Sequence, residues 1–124
     1  THAEAQAPHV TEKQKISLLS PKEYAERLVM KRWNSQKQFQ CLKALWGKES
    51  AWNHKAANPV STAFGIPQFL NQTWINYGYP VRPKSAHTQV EAGLKYIKAR
   101  YKTPCGAWAF WLKQAGPDKR GGWY

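Results

Sequence analysis

The sequence predicts a single, mainly α-helical domain. Apolar residues recur at helical spacing in segments opened by Ser or Thr caps. No segment alternates convincingly with period two. A length of 124 residues at 14.2 kDa suits one hydrophobic core and not two. Hydrophobic residues make up 42% of the chain, too many for wholesale disorder. No stretch reaches the roughly 20 apolar residues that a membrane-spanning helix needs.

Residues 1–15 are polar, contain Pro8 and lack periodicity, so they read as a flexible tail or linker end, with the domain over 16–124. The chain begins at Thr1 without an initiator Met or an apolar signal core, which reads as a processed or excised form. Ser20-Pro21-Lys22-Glu23 opens the first helix, with Ser20 as cap, Pro21 at the first position and Glu23 closing a capping box; Tyr24, Leu28 and Trp33 give its apolar stripe. A second helix is expected from about Gln36 to Lys48, with Phe39, Leu42, Ala44, Leu45 and Trp46 on one face. Glu49 then falls at or just past its C-terminal turn, where the helix dipole disfavours a carboxylate and its proton binds more tightly.

Residues 51–65 carry the turn formers Asn53, Asn58-Pro59, Ser61-Thr62 and Gly65 and read as a loop. A short helix is expected from about Pro67 to Tyr77, then a Pro-punctuated connection from Gly78 to Ser85. Thr88-Gln89-Val90-Glu91 resembles a second capping box opening a helix to about Tyr101, with Val90, Leu94, Ile97 and Tyr101 on one face. Thr103-Pro104 opens a last helix, periodic in Trp108, Trp111 and Leu112 and stopped by Gly116-Pro117. The terminal Trp123-Tyr124 reads as packed on the domain.

Lys plus Arg number 19 against 7 Asp plus Glu, a net charge of +12. That balance favours polyanionic partners: nucleic acid, an anionic membrane surface or an acidic cell wall. The cations are scattered, with no block of five or six. A coenzyme-binding α/β domain is disfavoured by the short length and the absence of a glycine-rich phosphate loop, so no cofactor is expected. No Cys-x-x-Cys occurs and His2, His9, His54 and His87 are dispersed, so no metal site is expected. Cys41 and Cys105 are compatible with two free thiols or with one disulfide closing a loop of about 65 residues.

Few carboxylates make each one informative. Glu49 sits within Leu45-Trp46-Gly47-Lys48-Glu49-Ser50-Ala51-Trp52-Asn53, among aromatic and apolar neighbours. A partly desolvated Glu holds its proton near neutral pH, as a general acid must. Ser50 is placed to orient a substrate or the carboxyl group. About ten residues on, Asn58-Pro59-Val60-Ser61-Thr62-Ala63-Phe64-Gly65-Ile66-Pro67-Gln68 offers small residues for close approach and Gln68 for hydrogen bonding. Trp52, Phe64, Trp74, Tyr77 and Tyr79 surround these segments; such rings stack on sugar faces or build a core.

Taken together, the Glu49-Ser50 pair and the Ser61-x-Ala63-x-Gly65-Ile66-Pro67-Gln68 run resemble the lytic transglycosylase family of the lysozyme-like superfamily, which includes goose-type lysozymes. That family pairs a helix-ending Glu-Ser with a Gly-Leu-Met-Gln-type motif. Gly93-Leu94-Lys95-Tyr96-Ile97 resembles its third element, and the Pro104-Cys105 stretch with the closing Gly122-Trp123-Tyr124 looks like short secreted or phage-associated members. The resemblance runs from about Gln38 to Tyr124. It implies a lysozyme-like helical domain with a substrate cleft and Glu49 as catalytic acid/base. Ser50, Ser61, Phe64, Gly65, Ile66, Gln68 and Tyr96 would be the substrate-binding set, with Tyr96 supporting Glu49 or the substrate N-acetyl group. It also implies pairing of Cys41 with Cys105 and an extracytoplasmic location. Thr62 stands where a Gly is usual, Pro67 replaces the common Met, and the Ala-Tyr-Asn motif of larger members is missing.

Most glycosidases flank the bond with two carboxylates. After Glu49 only Glu91 and Asp118 remain, one read as a cap partner and one in a Gly/Pro/Lys tail. A one-carboxylate route fits better. It is the one the resemblance implies: peptidoglycan cleavage between N-acetylmuramic acid and N-acetylglucosamine, leaving a 1,6-anhydro end. The alternatives are a goose-lysozyme-like hydrolase, a non-catalytic cell-wall glycan-binding module, and a basic nucleic-acid binder that has no recognisable reading motif. Expected partners are peptidoglycan strands and anionic wall polymers, with no specific nucleic acid, and the expected state is a monomer.

Overall fold

The structure is a computed structural model that describes residues 10–124. Among these lie six helices: α1 (Glu12–Ser17), α2 (Pro21–Trp33), α3 (Gln36–Ser50), α4 (Asn71–Asn76), α5 (Ala86–Tyr101) and α6 (Pro104–Gln114). No strand occurs among the described residues, only two isolated bridges, Ala57 to Phe64 and Phe64 to Phe69. The mainly helical class expected from the periodicity is what forms. None of these helices is long and apolar enough to cross a membrane.

Local chemistry sets the helix ends. The Ser20 hydroxyl accepts from the Glu23 N–H, and the Glu23 carboxylate accepts from the Ser20 N–H, so the expected capping box opens α2. Asn34 closes it in the left-handed conformation. Ser35 caps α3, which runs two residues beyond the expected Lys48, to Ser50. Ala51 and Trp52 then follow with φ of 52° and 61°, and the helix cannot continue through them.

Three expectations are corrected. Residues 12–15, read as part of an aperiodic tail, belong to α1, where Thr11 and Gln14 form a capping box. The part of that tail before residue 10 lies outside the described residues. An ion pair between Glu12 and Arg27 also links α1 to α2, but both side chains are at least half exposed, so it contributes little. The helix expected from Pro67 is only α4, because residues 65–68 turn instead, and Thr62 accepts from the Asn71 N–H at its start. Finally, α5 is capped by Ser85 rather than Thr88. That frees Glu91 from any cap role, and it accepts a hydrogen bond from the Tyr24 hydroxyl.

Helix α3 packs on α2 and α6, and α5 packs on the same two, so the four longest helices close a ring around one core. Leu42, Leu45 and Trp46 from α3 meet Ala25 and Val29 from α2, Val90, Leu94 and Ile97 from α5, and Ala107 and Trp111 from α6. Gly93 permits the closest approach: a Cβ there would stand 2.3 Å from the Trp46 ring. A smaller cluster of Phe69, Trp74, Ala92 and Tyr96 seats α4 against α5. Cys41 and Cys105 form a disulfide that joins α3 to the first turn of α6, where Gln38 also accepts from the Cys105 N–H.

The long loop between α3 and α4 is held by one buried amide. Gln89 is fully buried on α5. Its Oε1 accepts from the Ile66 N–H at 2.9 Å, and its Nε2 donates to the carbonyls of His54 and Pro83 at 3.0 and 2.7 Å. A Cβ on Gly65 would lie 2.6 Å from that Oε1, so only glycine fits there, and its φ of 82° requires one as well.

Gln89→Leu strands one buried N–H and two carbonyls. It should cost about 2–4 kcal/mol of unfolding free energy in urea titrations, whereas substitution of Lys98, exposed on the same helix, should be near neutral. Replacing both cysteines by serine removes a cross-link over 64 residues. It should lower stability by up to about 4 kcal/mol in the chain-entropy account, read as a drop in the thermal midpoint.

Candidate active site

Glu49 occupies the last turn of α3, and the ring of helices half-buries it. It lines a cleft of about 500 Å³ together with Gln68, Phe69, Tyr96, Arg100 and Tyr124. Its Oε1 accepts from the indole N–H of Trp111 at 3.2 Å. Burial pushes the carboxyl up to about 7, and the Trp111 hydrogen bond opposes that only in part. The carbonyl end of the α3 dipole acts in the same direction as burial. Glu49 therefore carries a proton over much of the near-neutral range, inside a cleft open to solvent.

The C-terminal segment completes this environment. Gly122 lies flat on Trp111; a Cβ there would be 2.4 Å from the indole ring. The Tyr124 hydroxyl accepts from the Trp46 indole N–H at 2.9 Å and donates to the Pro67 carbonyl at 3.0 Å. Its pKa is raised well above 10, by burial first and by the Glu49 charge second, so it remains a donor. Tyr124 thus joins the core of α3 to the loop that forms the opposite wall. Trp123 beside it is 56% exposed, lines the same cleft and meets Phe110 edge to face.

The residues singled out from the sequence divide into three groups. Glu49, Gln68 and Tyr96 come together in the cleft. Gln68 has φ of 56°, and its Nε2 donates to the carbonyls of Ala56 and Gly65, at 3.0 and 2.8 Å. The Tyr96 hydroxyl donates to the Tyr124 carbonyl at 3.2 Å, and among the described residues no hydrogen bond joins it to Glu49. Ser50, Gly65 and Ile66 shape the loop instead. The Ser50 hydroxyl donates to the Ile66 carbonyl at 2.8 Å, latching the loop to the end of α3 one residue from Glu49. Gly65 and Ile66 are buried and do not line the cleft. Ser61 and Phe64 stand apart: Ser61 is exposed and accepts from the Ala63 N–H, and Phe64 lies under the Arg82 guanidinium.

The aromatic set is also redistributed. Trp52 and Trp74 are buried in the two clusters, and none of Trp52, Phe64, Trp74, Tyr77 or Tyr79 lines the cleft. The rings that do are Phe69, Tyr96, Trp123 and Tyr124. Sequence reasoning missed Trp111, Arg100, Trp123 and Tyr124 as site residues. The only signal for the last two was a pair of aromatics in a Gly-rich tail. Asp118 pairs with Arg120 at 2.7 Å in an exposed turn, and Glu91 lines a separate groove with Tyr24 and Tyr79. Among the described residues Glu49 therefore carries the one side-chain carboxylate of the cleft. No group of three His, Cys, Asp or Glu close enough to hold a metal ion occurs among them.

A family model described as a transglycosylase SLT domain matches residues 28–114 of the chain. The match spans most of the ring of helices and ends before the segment that supplies Gly122, Trp123 and Tyr124. Comparison with curated proteins and with solved structures gave no match.

The raised pKa has a stability consequence. Between about pH 4.5 and 7 the folded chain keeps the Glu49 proton while the unfolded chain has lost it. The unfolded state binds fewer protons, so stability falls as pH rises through that window and levels off above it. Glu49→Gln removes the burial penalty. It should leave stability almost unchanged at pH 4 and raise it by about 2 kcal/mol at pH 8, measured by denaturant unfolding at both values.

Proposed function

This chain belongs to the transglycosylase SLT domain family, and on that footing we propose that it is a peptidoglycan lytic transglycosylase using Glu49 as its single catalytic carboxyl group. The family carries the coarser statement, a lytic-transglycosylase-type role in cleaving peptidoglycan. The observation that supports the finer one is the lone, half-buried carboxyl group of the cleft, held protonated to about pH 7.

The chemistry follows from one group serving twice. Protonated Glu49 donates to the oxygen of the β-1,4 bond between N-acetylmuramic acid and N-acetylglucosamine, and that C–O bond breaks as the leaving sugar takes the proton. The carbonyl oxygen of the substrate's own acetamido group bonds to the anomeric carbon and stabilises its positive charge. Glu49, now a carboxylate, accepts the proton of the 6-hydroxyl. That oxygen closes on the anomeric carbon and displaces the acetamido group. The product is a 1,6-anhydro-N-acetylmuramic end, no water is added, and Glu49 ends protonated as it began. Partial burial raises the Glu49 proton affinity, and a glycan strand filling the open cleft would keep water from competing with the 6-hydroxyl.

Gln68, Phe69, Tyr96, Trp123 and Tyr124 would form the walls for the sugars, with Trp123 as the exposed stacking platform. The net charge of +12 suits anionic wall polymers around the strand. The disulfide and a peptidoglycan substrate support a location outside the cytoplasm, and the reading takes the domain as a monomer.

Mass spectrometry of the fragments released from purified peptidoglycan tests this. The wild type should yield anhydro-muropeptides, one water lighter than reducing ends, and Glu49→Gln should release none. Reducing ends would make the protein a lysozyme-like hydrolase. No fragments from the wild type would make it a wall-binding module. Because the acid form is the active one, kcat/KM should fall as pH rises through about 7. In Trp111→Phe that limb should move to higher pH, since the hydrogen bond that favours the Glu49 carboxylate is gone.

A further inference from the structure

We propose that Arg100 forms a subsite for a carboxylate on the 3-O arm of the N-acetylmuramic residue, the substituent that distinguishes peptidoglycan from a neutral glycan. This rests on the peptidoglycan reading of the cleft. Arg100 sits in the last turn of α5 and lines the same cleft as Glu49. Its guanidinium lies over the rings of Tyr96 and Tyr101, with centroids 5.4 and 5.9 Å away. Two rings thus fix a planar cation at the edge of a sugar-sized cleft.

Among the described residues no side-chain anion pairs with that cation. Among the described residues the ion pairs are Arg27 with Glu12 and Arg120 with Asp118, and neither involves Arg100. Glu49 shares the cleft, but its pKa is set by burial and Trp111, with no cation drawing it down. Arg100 therefore lines the same cleft without pairing with the acid. A stacked guanidinium keeps its forked N–H donors for a planar anion, and a carboxylate matches that fork in two parallel hydrogen bonds. A neutral N-acetylglucosamine polymer has no group to use it. Strands carrying stem peptides offer the peptide carboxylates, and strands stripped of peptide offer the lactyl carboxylate itself.

The test uses the Glu49→Gln protein, so that ligands survive, with and without Arg100→Gln. Binding is measured by calorimetry to three ligands of similar length: uncross-linked glycan strands bearing stem peptides, strands stripped by an amidase, and a neutral chitooligosaccharide. Arg100→Gln should weaken binding of at least one anionic strand about tenfold and leave the chitooligosaccharide unchanged. Loss confined to stripped strands assigns the lactyl carboxylate, and loss confined to peptide-bearing strands assigns the stem. Arg100→Lys, which keeps the charge without the fork, should fall between. Lys98→Gln, an exposed cation on the same helix outside the cleft, should change nothing. An equal loss on all three ligands, no loss, or no measurable binding overturns the subsite. Failure of the wild type to cleave peptidoglycan while the Arg100-dependent difference persists would overturn the catalytic reading and leave the subsite standing.

Discussion

The buried amide of Gln89 is the constraint on which the rest of the site depends. A loop of some twenty residues separates α3 from α4, and its backbone groups must find partners or stay in water. One fully buried side chain on α5 provides two of those partners, to Ile66 and His54, and a third to Pro83 in the connection between α4 and α5. In a low-dielectric interior such bonds are strong when complete and costly when broken. They also dictate sequence nearby: Gly65 must lack a side chain because the Gln89 oxygen occupies that space. Ser50 adds a direct latch from the end of α3 to the carbonyl of Ile66. The wall of the cleft and its acid are therefore fixed to each other by backbone contacts that no substrate has to form.

The second determinant is how Glu49 is sealed. A carboxyl group at the carbonyl end of a helix is already disfavoured as an anion, and burial adds to this. Trp111 supplies one hydrogen bond, enough to orient the group without making it strongly acidic. The C-terminal segment holds Trp111 in place through Gly122 and ties Trp46 to Pro67 through the Tyr124 hydroxyl. A short tail beyond the last helix thus decides the environment of a residue more than seventy positions earlier.

Much of the fold was legible in the residues. The Ser20 capping box and the apolar face of α3 are local signals, and the structure uses them as written. The signals that misled were also local. Thr88-x-x-Glu91 has the letters of a capping box, but the helix begins earlier because Ser85 caps it and Gln89 is needed in the core. The turn at 65–68 replaces the start of an expected helix because Gln89 and Ser50 pull Ile66 toward the core. The six-residue α1 has a cap but almost no apolar stripe, so periodicity does not reveal it.

By itself the sequence determined the helical class, the main helix ends, and the scarcity of carboxylates that singled out Glu49. These depend on spacing, capping and composition, which are properties of neighbours along the chain. Tertiary structure decided what surrounds Glu49: Trp111 from α6, Tyr124 from the tail and Arg100 from α5. It also turned Gly65, Ile66 and Ser50 from presumed sugar contacts into the fastening of the loop, and moved the open stacking face from Trp52 and Trp74 to Trp123. Those outcomes rest on packing between segments from more than ten to more than seventy residues apart, where a side chain's role is set by which surface it meets, and no local pattern encodes that.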